Sequence, residues 1–340
     1  MSSKTLKVGV VGLGRLGQRH AEALAFRTRH CEVVAACSPV ASERTFAAEQ
    51  LGIKRLHEDF DALIADTAVD AVVLVTPTAL HADQAIAALR AGKHVFVEKP
   101  LALNVEDCER VLAVAQQHPN QIAMVGFVRR FDASYLNAHA VVAAGGIGKP
   151  FLVRSQTCDQ NDPDGFFVRF APTSGGIFMD CSVHDIDLAR WMLGKPRAVR
   201  AFATGTIALH PALAEFGDVD NGLAVVEFEG GARAVLYASR TMAHGHETST
   251  EVIGTTGKLT VGEHAARDRV VCSDSDGVRH AVVKDFYERF EGAFAAEMAA
   301  FVAACRGEQP LNLTLTDALE ATRIGLAITR SLRSGLPEMV

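Results

Sequence analysis

The chain has no run of eighteen apolar residues, which excludes a transmembrane helix. It has no Cys-x-x-Cys. Its seven cysteines are odd in number and scattered, so they read as reduced thiols of a cytoplasmic protein and not as a disulfide framework. It has no excess of positive charge: 34 Lys and Arg stand against 40 Asp and Glu, a net −6, which argues against nucleic acid as a partner. The opening Met1-Ser2-Ser3-Lys4 lacks the apolar stretch and cleavage site of a signal peptide. Internal repeats are absent. With 49% hydrophobic and 22% charged residues, the composition is that of a folded chain and excludes intrinsic disorder. At ~100–200 residues per domain, 340 residues suggest two domains.

The first third alternates two hydrophobic periods. Nearly continuous apolar runs at 8–11, 33–37, 71–75, 95–97 and 122–125 predict buried strands. Between them lie helical patterns. Ala82, Ala85, Ile86 and Leu89 share one helix face, as do Val105, Cys108, Val111, Leu112 and Ala115. Such alternation means a doubly wound parallel sheet, here over residues 1–126. Residues 127–340 follow another pattern. Helices are expected at 132–144, 178–193, 288–305 and 316–332. Strands are expected at 151–157, 198–204, 223–228, 234–239, 250–253 and 258–261, with a hairpin turn at Thr255-Thr256-Gly257. This second domain reads as α+β with a large, mostly antiparallel open sheet, one face of which could meet a subunit partner.

Gly12-Leu13-Gly14-Arg15-Leu16-Gly17 is G-x-G-x-x-G between a predicted strand and a predicted helix. The first glycine permits the tight turn, the second lets backbone approach a pyrophosphate, and the third lets helix pack on strand. The motif in this context predicts dinucleotide binding. An acid for the ribose diol is expected about 20 residues on. The twenty-first residue after Gly17 is Ser38, with Arg44 nearby, so NAD and NADP both remain open. Thr76, Pro77, His81 and Glu98 lie at predicted strand ends, where they could meet the cofactor.

Lys99 follows the strand of Val97-Glu98 and precedes Pro100, which points it into the same crevice; Lys99–Pro100 is also a candidate cis bond. In Gly175-Gly176-Ile177-Phe178-Met179-Asp180-Cys181-Ser182-Val183-His184-Asp185-Ile186-Asp187, Asp180 and His184 are four apart, and one helix would put them on one face. A carboxylate beside an imidazole orients it and raises its pKa. A helix-surface ion pair or a metal chelate are the alternatives, but no compact set of further ligands accompanies the pair and no metal is expected. For a hydroxyl-rich substrate, Arg130, Asp159, Asn161, Asp187 and His246 are the polar candidates.

These motifs, with Thr76-Pro77-Thr78-Ala79-Leu80-His81, Gly126-Phe127-Val128-Arg129-Arg130-Phe131-Asp132 and Glu251-Val252-Ile253-Gly254-Thr255-Thr256-Gly257-Lys258-Leu259, carry a resemblance. The chain resembles the glucose–fructose oxidoreductase/inositol dehydrogenase/rhizopine-catabolism (Gfo/Idh/MocA) family, nearest to its inositol 2-dehydrogenases. The resemblance implies an NAD(P)-dependent enzyme that moves hydride between a secondary hydroxyl of a cyclic polyol, myo- or scyllo-inositol, and the nicotinamide. It implies Lys99, Asp180 and His184 as the catalytic set and a homo-oligomer, dimer or tetramer. The family often carries an acid at the Ser38 position, and its inositol dehydrogenases can carry Gly-Tyr-Asp where this chain has Gly245-His246-Glu247. Two other functions are compatible with the same fold: an NADP-dependent aldose oxidoreductase and a non-catalytic dinucleotide sensor.

Overall fold

The alternating strand and helix runs of the first third resolve into one parallel sheet. In the computed structural model, which describes residues 5–263 and 265–340 and leaves the side chain of Arg269 aside, the order is β1 (Leu6–Val11), α1 (Arg15–Glu22), β2 (Cys31–Cys37), α2 (Ala41–Leu51), β3 (Arg55–His57), α3 (Phe60–Ile64), β4 (Ala71–Leu74), α4 (His81–Arg90), β5 (His94–Glu98), α5 (Val105–Gln117) and β6 (Ala123–Gly126). Met1–Lys4, on which the signal-peptide expectation rests, lie outside the described residues. Strands pair in the order β3-β2-β1-β4-β5-β6, all parallel. Val72, Val73 and Leu74 have no exposed surface. Each such burial is worth ~1.5–3 kcal/mol relative to exposure. β3 escaped the sequence reading because Arg55 and Leu56 are exposed on a three-residue edge strand with no apolar run. The helix that opens at Arg15 leaves α geometry after Glu22 and continues as a wider π turn over Ala23–Arg27.

The strand order reverses between β1 and β4. Ligands of doubly wound sheets bind at such a switch point, outside the carboxyl ends of the strands. Backbone bonds knit the three strand ends there: the Gly12 amide donates to the Cys37 carbonyl (2.9 Å) and the Val75 amide to the Val11 carbonyl (2.8 Å).

The second sheet is built from β7 (Pro150–Gln160), β8 (Ala198–Thr206), β9 (Asn221–Phe228), β10 (Arg233–Met242), β11 (Glu247–Gly254), β12 (Lys258–Val261) and β15 (Glu338–Met339). Its order is β12-β11-β7-β10-β9-β8-β15; β7 and β10 run parallel and the other neighbours antiparallel. Thr255–Gly257 makes the β11–β12 turn, as expected. A separate hairpin, β13 (Ala266–Asp274) with β14 (Gly277–Val282), was not foreseen; its described side chains are exposed apart from half-buried Ala266 and Val282, so no buried alternation marks it. β9 alternates strictly: Gly222, Ala224, Val226 and Phe228 are buried, Leu223 and Val225 exposed.

The helices with this sheet are α6 (Ala133–Ala143), α7 (Phe166–Ser174), α8 (Ile177–Asp180) and α9 (Val183–Met192), followed later by α10 (Phe286–Cys305) and α11 (Leu315–Ser334). The single helix expected over 178–193 is two, and α7 precedes it. The Ser182 amide reaches back to the Ile177 carbonyl (3.3 Å), five residues earlier, and ends the regular ladder after Asp180.

The compact units do not follow the 126/127 boundary read from the sequence. One runs up to Phe131 and takes in Gly292–Glu320; the other holds Asp132–Glu291 and Ala321–Val340. The cause is aromatic packing. Phe294 sits edge-on to His20, and Phe301 edge-on to Phe96, inside the first unit. α10 is kinked at Phe290, just before it enters that core.

Candidate active site

In the first unit the glycine loop has the backbone that its sequence demands. Gly12 lies at φ +85°, and a Cβ there would sit 2.5 Å from the Val75 carbonyl oxygen. At Gly17 a Cβ would meet the Gly12 oxygen at 2.0 Å. Gly14 differs: its Cβ position faces open space, with only Glu43 Oε1 at 3.9 Å. Gly14 also caps α1, whose first turn has neither a side-chain cap nor an acid. Arg15 is exposed and Leu16 half-buried, while Leu13 is wholly buried, so only the backbone of Leu13 is available to a ligand. Uncapped amides at a helix start, reached over glycine, suit a pyrophosphate.

The strand ends beside this loop are tied to one another. His81 is buried, and its Nδ1 and Nε2 face the carbonyl oxygens of Pro100 (2.9 Å) and Thr76 (2.8 Å). Burial lowers its pKa, against the pull of those two oxygens. Its ring therefore braces the ends of β4 and β5, and any influence on a cofactor passes through them. Thr76 Oγ1 donates to Gln84 Oε1 (2.6 Å), and Pro77 opens the following 3-10 turn. Glu98 is buried too. Its Oε1 accepts from His20 Nε2 (2.6 Å) and its Oε2 from the Lys99 amide (3.0 Å). Lys99 is half-buried, and the Lys99–Pro100 bond is cis.

Among the described residues, one trio of metal-ligand type converges: His20, Glu98 and Glu297, with ligand atoms within 4.8 Å of one another. Neither Asp180 nor His184 belongs to it. Glu297 is fully buried; burial first, then the Glu98 charge, raises its pKa well above the carboxylate range.

Arg130 is in this first unit as well, and its expected place among substrate groups is corrected. Its guanidinium has no exposure; it donates to the Asn312 carbonyl (3.2 Å) and lies 3.5 Å from Asp317, pinning the start of α11.

In the second unit Asp180 ends α8 and His184 stands in the first turn of α9. They do not share one continuous helix, which corrects the expectation. Gly176, at φ +89°, opens α8, and its next amide, Ile177 N–H, donates to Asp218 Oδ1 (2.9 Å). Asp218 Oδ2 accepts from Arg240 (3.0 Å), and Arg240 also donates to Asp180 Oδ2 (3.1 Å). Arg240 is wholly buried at the end of β10. Burial opposes its charge, but Cys181, Asp180 and Asp218 outweigh that, and its pKa rises above the arginine value. Its guanidinium also lies over the Phe167 ring, 5.2 Å from the centroid.

The polar chain continues. Cys181 Sγ lies 3.6 Å from Asp159 Oδ2, and Asp159 Oδ1 accepts from His246 Nδ1 (2.9 Å). Nε2 of His246 is buried without a hydrogen-bond partner among the described residues. Gly245 makes this placement possible: at φ +145° it passes so close to the Val283 carbonyl that a Cβ would sit 2.3 Å away. Asn161 accepts from His210 Nε2 (2.9 Å). Asp185 is spoken for by Ser155 and Thr157, each at 2.6 Å, and Asp187 is buried on α9. The structure thus gathers Asp180, Asp159 and His246 into one run of contacts. The sequence reading missed its organiser, Arg240, although a lone arginine ending the apolar strand Ala234–Ser239 was a signal.

Residues 6–127 match the model of an oxidoreductase family with an NAD-binding Rossmann fold, and residues 135–260 match the GFO/IDH/MocA C-terminal domain. The chain belongs to the Gfo/Idh/MocA oxidoreductase family. It is 36% identical to scyllo-inositol 2-dehydrogenase (NAD(+)) of Bacillus subtilis, over 98% of this chain and 95% of that protein. It is 33% identical to myo-inositol 2-dehydrogenase of Thermotoga maritima, over 96% of each. Its fold superposes with a TM-score of 0.95 on scyllo-inositol dehydrogenase of Lactobacillus casei, solved with NAD(H) and scyllo-inositol, at 38% identity over 99% of both chains. This Gfo/Idh/MocA member is an NAD-dependent oxidoreductase of the inositol 2-dehydrogenase kind.

Proposed function

We propose that this enzyme oxidises one secondary hydroxyl of an inositol to a ketone, with NAD as the acceptor. The observation that carries the substrate class is the second-unit chain Asp218–Arg240–Asp180–Cys181–Asp159–His246. It offers carboxylates and a buried, unpartnered imidazole nitrogen, which is how a ring of hydroxyls with little apolar surface is recognised. The relatives named for scyllo- and myo-inositol support the same class.

NAD held on Gly12–Gly17 would supply the two-electron acceptor; the missing Cβ atoms, the open side of Gly14 and the uncapped α1 fit its pyrophosphate. His184 takes the hydroxyl proton as the C–H bond gives up its hydride. Lys99 donates a hydrogen bond to the same oxygen and stabilises the negative charge that develops there. Asp180, ion-paired with Arg240, accepts a hydrogen bond from a neighbouring hydroxyl or from the His184 ring. His246, where the resemblance implies a tyrosine, accepts from another hydroxyl through Nε2. Asp159 is the residue that holds it there. Reduction runs the same parts backwards.

Phe202 and its register partner Val225, with Leu223, are exposed on the outer face of the seven-stranded sheet. That apolar face supports a homo-oligomer, a dimer or a tetramer. None of the seven cysteines is joined in a disulfide, which supports a reducing, cytoplasmic setting.

The test is NADH formation, followed by absorbance, across a panel of inositols and aldoses with NAD or NADP. Reduction of NAD by an inositol is the expected result. Turnover with an aldose and NADP alone would overturn the substrate and cofactor assignment. Binding of NAD without turnover on any substrate would favour the sensor.

A further inference from the structure

No acid stands at the end of β2, but one follows in the first turn of the next helix. Ser38, directly after β2, is buried, and its Oγ donates to Glu43 Oε2 at 2.6 Å. Glu43 stands in the first turn of α2. Its other oxygen, Oε1, lies on the glycine-loop side, 3.9 Å from the Cβ position of Gly14. The Gly12 amide is bonded to Cys37, so loop, strand end and carboxylate form one corner of the first unit. In doubly wound folds the adenosine ribose of a dinucleotide sits beside the glycine loop at the end of the second strand.

Arg44, the residue that could greet a 2′-phosphate, is committed elsewhere. One guanidinium nitrogen donates to the Ser38 carbonyl (2.8 Å) and another to Glu58 (2.6 Å). The corner therefore presents an acceptor for hydroxyls and a like charge against phosphate, with the charge of Arg44 met by Glu58.

We infer that Glu43, positioned by Ser38, accepts the ribose hydroxyls of NAD and excludes NADP. This rests on the dinucleotide seating on Gly12–Gly17. The carboxylate gains two charge-assisted hydrogen bonds with the 2′,3′-diol of NAD. With the 2′-phosphate of NADP it gains repulsion at short range.

The test is calorimetric titration of the cofactor-free protein with NAD and with NADP, for wild type, Glu43→Gln and Ser38→Ala. Glu43→Gln keeps the size and an acceptor for Ser38, so folding is checked by an unchanged melting profile. Wild type is expected to bind NAD more tightly than NADP. Glu43→Gln is expected to weaken NAD about tenfold and to narrow the NAD:NADP ratio by more, with Ser38→Ala intermediate. Unchanged NAD affinity and ratio in Glu43→Gln would overturn the inference while leaving the cofactor seat intact. Wild type preferring NADP would overturn it as well. Wild type binding neither dinucleotide would sink the seat itself, a result the variants cannot mimic.

Discussion

Arg240 and Asp180 form a 3.1 Å ion pair in which the guanidinium has no contact with solvent, and the same guanidinium holds Asp218 at 3.0 Å. One buried cation thus ties the end of α8 to the residue that caps its start. Replacing Arg240 with Met removes the counter-charge that Asp180 and Asp218 share. Breaking such a buried pair costs ~3–5 kcal/mol, and the loss here should fall within that range, read as a lower midpoint in urea. A midpoint unchanged from wild type would mean that Asp180 and Asp218 are held by something else.

The backbone at Lys99 is held by its neighbours: its amide donates to Glu98, and the Pro100 carbonyl faces His81. Lys99→Ala should leave folding and NAD affinity near wild type while kcat falls about 10²–10³-fold, the usual cost of losing one donor to a developing oxyanion. Turnover within a few-fold of wild type would remove Lys99 from the chemistry.

For His184 the sign is set by the direction of the reaction. Oxidation needs an imidazole free to take a proton, so kcat/KM should fall toward acid pH as the ring protonates. His184→Asn should abolish that acid limb and lower the plateau. A variant with the same limb would place the base elsewhere.

Glu297 gives a pH test of stability. Its folded pKa is raised by burial and by Glu98, with His20 on the other side of Glu98. The native state therefore keeps a proton that the unfolded chain releases above pH ~4.3. The contribution is complete below that pH and is lost as pH climbs toward the folded pKa. Glu297→Gln, which cannot ionise, should flatten this decline and be more stable than wild type at pH 8 by about 1–3 kcal/mol, measured by denaturant titration. An equal pH slope in both proteins would show that Glu297 does not hold the proton.

Much of this molecule is legible in one dimension. The glycine loop, the run of parallel strands, the Glu98-Lys99-Pro100 strand end and the Asp180–His184 segment are local patterns, because strand burial, helix periodicity and φ > 0 turns act over a few neighbouring residues. β3 and the β13–β14 hairpin were invisible because edge and exposed strands bury no alternating face. The split of α8 from α9 was invisible because a single backbone bond, Ser182 to Ile177, decides it.

The sequence by itself determined the fold class and the family. Tertiary structure alone decided how the candidate site residues are wired. Arg240 reaches Asp180 across 60 positions and His246 reaches Asp159 across 87, by virtue of strand order and register that no local pattern encodes. It also moved Gly292–Glu320 into the first unit and placed Glu43 against Ser38 at the mouth of the glycine loop. For the Arg240 and His246 pairings the reason is burial: a charge or polar group taken out of water must find its partner in space, wherever along the chain that partner lies.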